Sequence, residues 1–370
     1  MIGALLAAAA VAVPFQSIDG IVERVTSEQH VAALSLGVAR DGVTIYLRGY
    51  GYREGKGRPD GFTIYPAGSI AKQFTAAVVL QDVAAGTLAL DRGDPPLRAL
   101  LDQTAGGTWT YNNENYATLG SILERADGVP FCRLLDARIL VPLQLRSTSC
   151  GPPFGASNVA GGSTLGSAPI APAAGGLWSN APDLLRWLGD LRAGRVVSLP
   201  DVAEMTTSAT LPGGVPANYG FGFFVANWYG YRVVYHDGFV PGYSAVDALS
   251  LDDGVAIAIL CDADRIDLVP LAKSIFAMVD SPRDANLYAS PSAPPENEDA
   301  TVSAALRAIL TSAAFERFGT LQSLEFLERT HSGALTYDRY RATFDRTVRT
   351  VTAGYGKDEA IESLTIAPPP

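Results

Sequence analysis

A serine and a lysine three positions apart, Ser69 and Lys72, are the residues of this sequence best suited to nucleophilic chemistry. On one helical turn this spacing puts a hydroxyl and an amine on the same face. The chain has four lysines among its 28 basic residues, and Lys72 lies in the otherwise apolar run 69–80. A desolvated lysine can lose its proton near neutral pH and act as a base, whereas arginine cannot. A helix cap followed by a surface lysine is the alternative.

A second polar motif, Tyr111-Asn112-Asn113, comes just before a predicted helix at 116–125. Beside a lysine, a tyrosine phenol can exchange protons with a nucleophile or a leaving group. An asparagine amide donates and accepts hydrogen bonds at once, which suits the holding of a substrate amide. The alternative is a helix cap with a packed aromatic side chain.

A third motif, His236-Asp237-Gly238-Phe239, lies at the end of a predicted strand. Gly238 would let a substrate approach the backbone closely. His236 could donate a hydrogen bond to a carboxylate or a carbonyl group. It is one of three histidines, and a purely structural role is the alternative.

Together these motifs resemble those of the serine β-lactamase and penicillin-binding-protein superfamily, in the branch of class C β-lactamases, D,D-carboxypeptidases and esterases. The resemblance covers residues 18–280. The segment 175–184 is similar to the family's Gly-Gly-x-x-Ser-x-x-x-Asp-Leu sequence, and Tyr219-Gly220-Phe221-Gly222 is similar to its Tyr-Gly-x-Gly sequence before a strand. No Gly-x-Ser-x-Gly, Walker A or His-Glu-x-x-His motif offers a competing interpretation.

The resemblance implies catalytic roles for three residues. Ser69 would be the acylated nucleophile and Lys72 the residue that activates it. Tyr111 would be a proton relay and the base, although members of the family differ in whether lysine or tyrosine is the base. The backbone N–H groups of Ser69 and Phe239 would form the oxyanion hole, and a helix N-terminus at Ser69 would favour the developing negative charge.

Five residues would bind the substrate by the same resemblance. Asn113 would orient it, and Tyr219 would line the pocket. His236 would stand in place of the lysine of the family's Lys-Thr-Gly strand, beside Gly238 and Phe239. Because a neutral histidine is a poorer partner for a carboxylate than lysine, carboxylesters or D-amino-acid peptides are favoured over β-lactams as substrates.

One departure from the family lies between Lys72 and Tyr111, where 38 residues stand in place of a longer segment that forms part of the pocket wall. The loss of that part of the pocket wall predicts a more open cleft. Two functions therefore stay open. The first is a serine hydrolase acting on an ester, a D-amino-acid peptide or a β-lactam carbonyl; the second is a non-catalytic relative that binds peptidoglycan or peptides. The complete set of motifs favours the hydrolase.

The composition excludes other classes of protein. Hydrophobic residues make up 48% of the 370 residues and charged residues 18%, so a large core can be buried. The net charge of −10 argues against nucleic acid as a partner, because nucleic-acid binding needs a basic surface. The expected partner is a small molecule or a peptide with a reactive carbonyl.

The three cysteines, Cys132, Cys150 and Cys261, lack the spacing of a metal-binding or redox motif. A disulfide between Cys132 and Cys150 and three buried free thiols are the alternatives. The implied mechanism requires no metal and no cofactor.

Strand and helix signals predict an α+β fold. A central antiparallel sheet would be built from both ends of the main domain, with a helical subdomain inserted between them, which is the β-lactamase/transpeptidase-like arrangement that the resemblance implies. Strands are predicted at 32–39, 43–51, 231–235, 243–251 and 255–261, and helices at 69–85, 116–125, 181–191 and 270–279.

Four segments are predicted along the chain. Residues 1–16 form a predicted signal peptide, because the apolar run 2–13 ends in Ala10-Val11-Ala12; this predicts a periplasmic or secreted protein, although no basic residue precedes the run. The run is too short for a stable membrane span. The main domain is 17–280, followed by a proline-rich linker at 281–300. Residues 301–370 form a small α+β domain with a helix at 301–318 and four strands.

Overall fold

The structure, a computed structural model, describes residues 15–53, 56–153, 155–161, 171–280, 300–312, 315, 318–332, 335–345, 348–355 and 361–367. Most of the predicted signal peptide and nearly all of the predicted linker lie outside the described residues. In the part of the chain that is described, no helix combines the length and the apolar character needed to cross a membrane.

Residues 15–280 have strands near both ends and mainly helices between them. The elements of the first half are α1 (Phe15–Glu28), β1 (Ala33–Arg40), β2 (Val43–Gly51), β3 (Tyr65–Gly68), α2 (Ala71–Ala84), α3 (Leu97–Leu101), α4 (Asn113–Asp127), α5 (Phe131–Leu135) and β4 (Ser149–Cys150). Those of the second half are α6 (Pro172–Gly175), β5 (Leu177–Ser179), α7 (Ala181–Arg192), α8 (Leu199–Met205), β6 (Phe224–Trp228), β7 (Tyr231–Val240), β8 (Tyr243–Ser250), β9 (Val255–Cys261) and α9 (Val269–Val279).

The central sheet has six antiparallel strands in the order β2-β1-β9-β8-β7-β6. The hairpin β1-β2 turns at Asp41 and Gly42, which both have positive φ, as in the type I′ turns that suit two-residue hairpins. It joins the later strands through the β1–β9 pair, in which Leu34 lies opposite Cys261. The sheet is therefore built from both ends of this region with helices inserted between them, and the predicted α+β fold is confirmed.

Helices cover both faces of the sheet, which explains why β8 and β9 are buried along their whole length. On β9, Ile257 and Ile259 belong to the cluster that includes residues of α1 and α9, whereas Ala258 and Leu260 belong to the cluster of α2 and α7. Side chains alternate between the two faces of a strand, so one strand supplies both halves of the core. Because α2 is buried around nearly its whole circumference, its polar residues lie inside the protein.

Cys132 in α5 and Cys150 in β4 form a disulfide, with their Cα atoms 5.5 Å apart. Cys261 is a buried free thiol. Of the two alternatives that the sequence left open, the disulfide is correct and three free thiols is wrong.

The described part of residues 300–367 holds one helix and a four-stranded antiparallel sheet whose strands are neighbours in chain order. These elements are α10 (Ala300–Leu310), β10 (Leu321–Ser332), β11 (Leu335–Phe344), β12 (Val348–Tyr355) and β13 (Ile361–Ala367). Leu306 of the helix packs with Tyr340 and Val351 of the sheet. The four predicted strands are present, and the helix ends earlier than the predicted 301–318 because a turn follows Leu310.

Candidate active site

Ser69 lies in the turn that joins β3 to α2. The helix begins two residues after the serine, at Ala71, rather than at Ser69 as the sequence predicts. The backbone N–H of Lys72 still donates to the Ser69 carbonyl at 3.0 Å, so the two residues share one helical turn. Gly68, just before the serine, has a φ of +57°, a conformation that glycine adopts without strain. The candidate nucleophile is thus held at the N-terminal end of a buried helix.

The amine of Lys72 is fully buried and makes three polar contacts. It lies 3.0 Å from Ser69 Oγ, 2.8 Å from Asn113 Oδ1 and 2.6 Å from the carbonyl oxygen of Ala174. Burial lowers the pKa of Lys72 to about 7, and the charge of Asp237 opposes this shift. A large fraction of the amine is therefore unprotonated at neutral pH.

Tyr111 and Asn113 reach the site from the start of α4. The side chain of Asn112 caps this helix by accepting a hydrogen bond from the Glu114 N–H, which makes Asn113 the first helical residue. Burial raises the pKa of the Tyr111 phenol, and a hydrogen bond with Ser69 lowers it. The net shift is upward, so the phenol is neutral near pH 7. The lysine Nζ lies 4.9 Å from the centre of the phenol ring.

Strand β7 passes close to the turn that holds Ser69. A Cβ added to Gly238 would lie 2.0 Å from the Ala67 carbonyl oxygen, so only glycine permits this approach. A Cβ added to Gly68 would lie 3.0 Å from the Phe239 nitrogen. The N–H groups of Ser69 and Phe239, the predicted donors of the oxyanion hole, therefore lie near each other. Gly238 thus lets the strand pack against this turn, and its predicted role in admitting the substrate stays a prediction.

His236 and Tyr219, both predicted to contact the substrate, are fully buried. The Tyr219 hydroxyl lies 3.0 Å from His236 Nε2, and His236 Nδ1 lies 2.6 Å from the Asp237 carbonyl oxygen. Burial and the charge of Lys72 lower the pKa of His236 to about 3, against the effect of its hydrogen bond with Asp237. The imidazole is neutral at physiological pH and both its nitrogens are engaged inside the protein, so neither is left for a substrate carboxylate.

Several residues around the site were not predicted from the sequence. Trp109 and Phe224 form an aromatic cluster with Tyr111 and Tyr219, in which ring centres lie between 5.0 and 6.4 Å apart. Each lies two residues from one of the motifs described above. An aromatic residue this close to a motif is the sequence signal that could have identified it. The Ala174 carbonyl gives no signal of this kind, because every residue carries a backbone carbonyl.

Two carboxyl groups lie beside the site on β7 and β8. Burial, together with the charge of Asp267, raises the pKa of Asp237 to about 6. Asp247, opposite His236 in the β7–β8 register, is fully buried, and burial raises its pKa to about 7. Asp247 Oδ1 accepts a hydrogen bond from Gln73 Nε2 at 2.5 Å. Within the described ranges, no group of three or more histidine, cysteine, aspartate or glutamate side chains is arranged to hold a metal ion.

Several solved structures share this fold. The octameric penicillin-binding protein homologue from Pyrococcus abyssi is 22% identical with a TM-score of 0.64, and the match covers 92% of this chain and 90% of that chain. The D-amino acid amidase from Ochrobactrum anthropi SV3 is 20% identical with a TM-score of 0.62, covering 72% and 98%. The class C β-lactamase from Rhodobacter sphaeroides is 17% identical with a TM-score of 0.63, covering 71% and 98%.

The sequence itself matches a family model over most of the region that holds the site. The model of the Beta-lactamase family matches residues 18–93 and 95–268, a region that contains all the candidate site residues from Ser69 to Phe239. No curated protein sequence matches the chain significantly. The family match confirms the resemblance drawn from the motifs: the chain belongs to the Beta-lactamase family, a family of serine hydrolases.

Proposed function

We propose that the chain is a serine hydrolase that works through an acyl-enzyme on Ser69. The observation that carries the proposal is the set of contacts made by Lys72 Nζ. Two of its partners, Asn113 Oδ1 and the Ala174 carbonyl oxygen, can only accept hydrogen bonds. An unprotonated amine has two N–H groups and one lone pair, so the lone pair is left for the Ser69 hydroxyl, 3.0 Å away. A general base needs this arrangement.

The reaction has two halves. In the first, Ser69 Oγ attacks the carbonyl carbon of the substrate while its proton passes to Lys72 Nζ. The negative charge that develops on the carbonyl oxygen is stabilised by the N–H groups of Ser69 and Phe239. The proton then moves through the Tyr111 hydroxyl to the leaving group, which departs as an alcohol or an amine. In the second half, water attacks the acyl-enzyme by the reverse proton route, and a carboxylic acid is released.

Lys72 is the better base of the two that the family resemblance left open. Burial lowers the pKa of Lys72 to about 7 and raises the pKa of Tyr111. At neutral pH the free amine is therefore populated and the phenolate is not. Tyr111 acts in this mechanism as a neutral hydroxyl that passes a proton on.

The charges at the site favour a substrate whose leaving group carries no carboxylate. His236 is neutral and bonded within the protein, and the next residue on β7 is the acid Asp237. Phe239 follows with a side chain that is 40% exposed and offers an apolar surface. We therefore favour carboxylesters and D-amino-acid amides over β-lactams and over peptides whose leaving group ends in a free carboxylate. The fold shared with a D-amino acid amidase supports the second class.

The same contacts argue for an enzyme over a non-catalytic binding protein, because binding alone gives no reason to hold a buried amine against a serine hydroxyl. We also propose that the protein is exported to the periplasm or the exterior. The Cys132–Cys150 disulfide supports this location, since disulfides persist mainly in oxidising compartments.

The function is tested by comparing Ser69→Ala with the wild type. The assays are hydrolysis of p-nitrophenyl acetate and of a D-amino-acid p-nitroanilide, and intact-protein mass after incubation with a fluorescent penicillin. Ser121→Ala is the matched control, because Ser121 is an exposed serine that donates to the Ala117 carbonyl within its own helix. We expect turnover to vanish in Ser69→Ala and to persist in the control. Turnover that survives in Ser69→Ala removes the assignment. A folded wild type that neither reacts nor becomes labelled favours the binding alternative.

A further inference from the structure

Both nitrogens of the buried His236 ring are engaged, and their partners fix which one carries the proton. Nδ1 lies 2.6 Å from the Asp237 carbonyl oxygen and 3.6 Å from Asp237 Oδ1. A carbonyl oxygen can only accept, so Nδ1 carries the hydrogen. Because the ring is neutral, Nε2 has a lone pair and accepts a hydrogen bond from the Tyr219 hydroxyl, 3.0 Å away. Tyr219 therefore selects the Nδ1–H tautomer.

The Asp237 carbonyl belongs to the part of β7 that lies next to the nucleophile. The last pair in the β6–β7 register joins Phe224 to Tyr235, so the edge of β7 beyond this pair is not covered by β6. In an extended strand, residues two apart direct their N–H and C=O groups to the same edge. The Asp237 carbonyl and the Phe239 N–H therefore share one edge. The Asp237 carbonyl oxygen, which accepts hydrogen bonds, thus lies two residues from the Phe239 N–H, the predicted donor to the oxyanion.

We propose that His236 is a positioning residue for the oxyanion hole, an inference that rests on the proposed hydrolase function. Its Nδ1–H holds the Asp237 carbonyl, and this contact sets the strand so that the Phe239 N–H points toward the carbonyl oxygen of the group that Ser69 attacks. The contact also satisfies an oxygen whose partial negative charge would otherwise oppose the developing oxyanion. Tyr219 acts one step further away, by keeping the hydrogen on Nδ1.

This role predicts a kinetic signature that a substrate-binding histidine would not give. A group that only orients an oxyanion donor acts more strongly on the transition state than on the bound substrate, so its loss lowers kcat and leaves KM nearly unchanged. Acylation and deacylation both pass through a tetrahedral oxyanion, so a misplaced oxyanion donor slows whichever step limits the rate. A ring with a pKa of about 3 also adds no inflection to the rate near pH 6.5.

Two substitutions separate the functions of the two nitrogens. His236→Asn keeps a donor near the position of Nδ1 and loses the acceptor at Nε2. His236→Gln keeps an acceptor near Nε2 and loses the donor that holds Asp237. Tyr219→Phe removes the hydroxyl that selects the tautomer. His30→Asn is the control, because His30 is exposed.

The experiment measures kcat and KM for p-nitrophenyl acetate and the inhibition constant of phenylboronic acid, which forms a tetrahedral adduct with a serine hydroxyl. Thermal unfolding of each variant establishes that it is folded. For His236→Gln we expect a loss of about 10- to 100-fold in kcat and in boronate affinity, with KM changed by less than about threefold. His236→Asn should stay within about fivefold of the wild type, and Tyr219→Phe should lie between the two. His30→Asn should match the wild type.

Equal losses in His236→Asn and His236→Gln, or an effect on KM alone, would overturn the inference. Nitrogen-15 NMR of labelled histidine tests it without any substrate. The expected spectrum is a neutral Nδ1–H tautomer that does not titrate between about pH 5 and 9, and a His236 ring that titrates near its ordinary pKa overturns the inference. Failure of the proposed function looks different, because turnover would then survive Ser69→Ala. Ser69-dependent turnover that is unchanged in His236→Gln removes only the role of His236.

Discussion

Lys72 Nζ lies 2.8 Å from Asn113 Oδ1, so the candidate base on α2 is held by the first residue of α4. The amide oxygen uses one hydrogen of the amine and adds no net charge. Burial therefore remains the main influence on the amine, and it lowers the pKa of Lys72 to about 7. A carboxylate at the same position would favour the ammonium form instead.

We expect kcat/KM to rise with pH through about 7 and then to level off, because only the unprotonated Lys72 accepts the serine proton. Well below this pKa the rate should fall about tenfold per pH unit. Since the pKa of Tyr111 is raised above its ordinary value of 10.0, its ionisation should cause no second change below that pH. Initial rates in a series of buffers at constant ionic strength measure the profile, and a rate that falls as pH rises through 7 would speak against Lys72 as the base.

Asn113→Asp should move this profile toward alkaline pH. A carboxylate beside the buried amine raises the pKa of Lys72, and we expect the midpoint of the rise in kcat/KM to shift upward by about one to two pH units. Asn112→Asp is the matched control, because Asn112 is exposed and aspartate also caps helices. The variant profiles are measured as for the wild type. An unshifted midpoint in a folded Asn113→Asp protein is incompatible with the proposed role of Lys72.

Asp237→Asn should relax discrimination against negatively charged substrates. The pair p-nitrophenyl butyrate and p-nitrophenyl succinate differs in charge, and the wild type should prefer the neutral butyrate. Removing the carboxyl of Asp237 should raise the relative kcat/KM for the succinate by about threefold to tenfold, as expected for about 1 kcal/mol between partly solvated charges. Asp264→Asn is the control, because Asp264 is an exposed acid near the β7–β8 turn. Equal changes in both variants would mean that net charge, not this position, sets the preference.

Asp247→Asn should change the pH dependence of stability. Burial raises the pKa of Asp247 from 3.8 to about 7, so between these values the folded protein keeps a proton that the unfolded chain releases. The stability that this carboxyl contributes is complete below its unfolded pKa and is lost as pH rises through the folded one. The free energy of unfolding of the wild type, relative to that of Asp247→Asn, should therefore fall by about 2 kcal/mol between pH 5 and pH 8. Urea unfolding at both pH values measures the difference, and a relative free energy of unfolding that grows with pH would refute the assignment.

Loss of the Cys132–Cys150 disulfide should destabilise the protein by about 3 kcal/mol, the size expected for a loop of this length. The bridge closes a segment with a sequence separation of 18 and joins α5 to β4. Denaturant unfolding with and without a reducing agent measures the effect. The double variant Cys132→Ser/Cys150→Ser should be insensitive to the reductant, and a wild type that is equally insensitive would show that the bridge adds nothing.

The sheet and the contacts of Ser69 followed from local patterns. Apolar runs bounded by glycine-containing turns located β1, β2, β8 and β9. The three-residue spacing of Ser69 and Lys72 predicted one helical turn, and the structure joins them at 3.0 Å. In both cases the information lies within a few residues of chain.

Local sequence patterns could not predict whether a polar side chain points into the cleft or into the protein interior. Whether His236 faced the cleft or the interior depended on Tyr219, which comes from another segment and supplies the hydrogen bond that makes burial tolerable. The choice between a disulfide and free thiols depended likewise on the distance between Cys132 and Cys150, which only the packing of α5 against β4 determines. The contact of Lys72 with Ala174 involves a backbone group that no residue type reveals.

The pairing of β1 with β9 sets the order in which the protein can be made. Leu34 pairs with Cys261, so β1 has no partner on that edge until the ribosome has synthesised nearly the whole main domain. Until then Leu34, Leu36 and Val38 lack the β9 and α9 side chains with which they form a completely buried cluster in the finished fold. Pairing between distant segments slows folding and leaves the nascent chain open to aggregation. The complete sheet, and with it the contact between the Ser69 turn and β7, can therefore form only after most of the main domain has been synthesised.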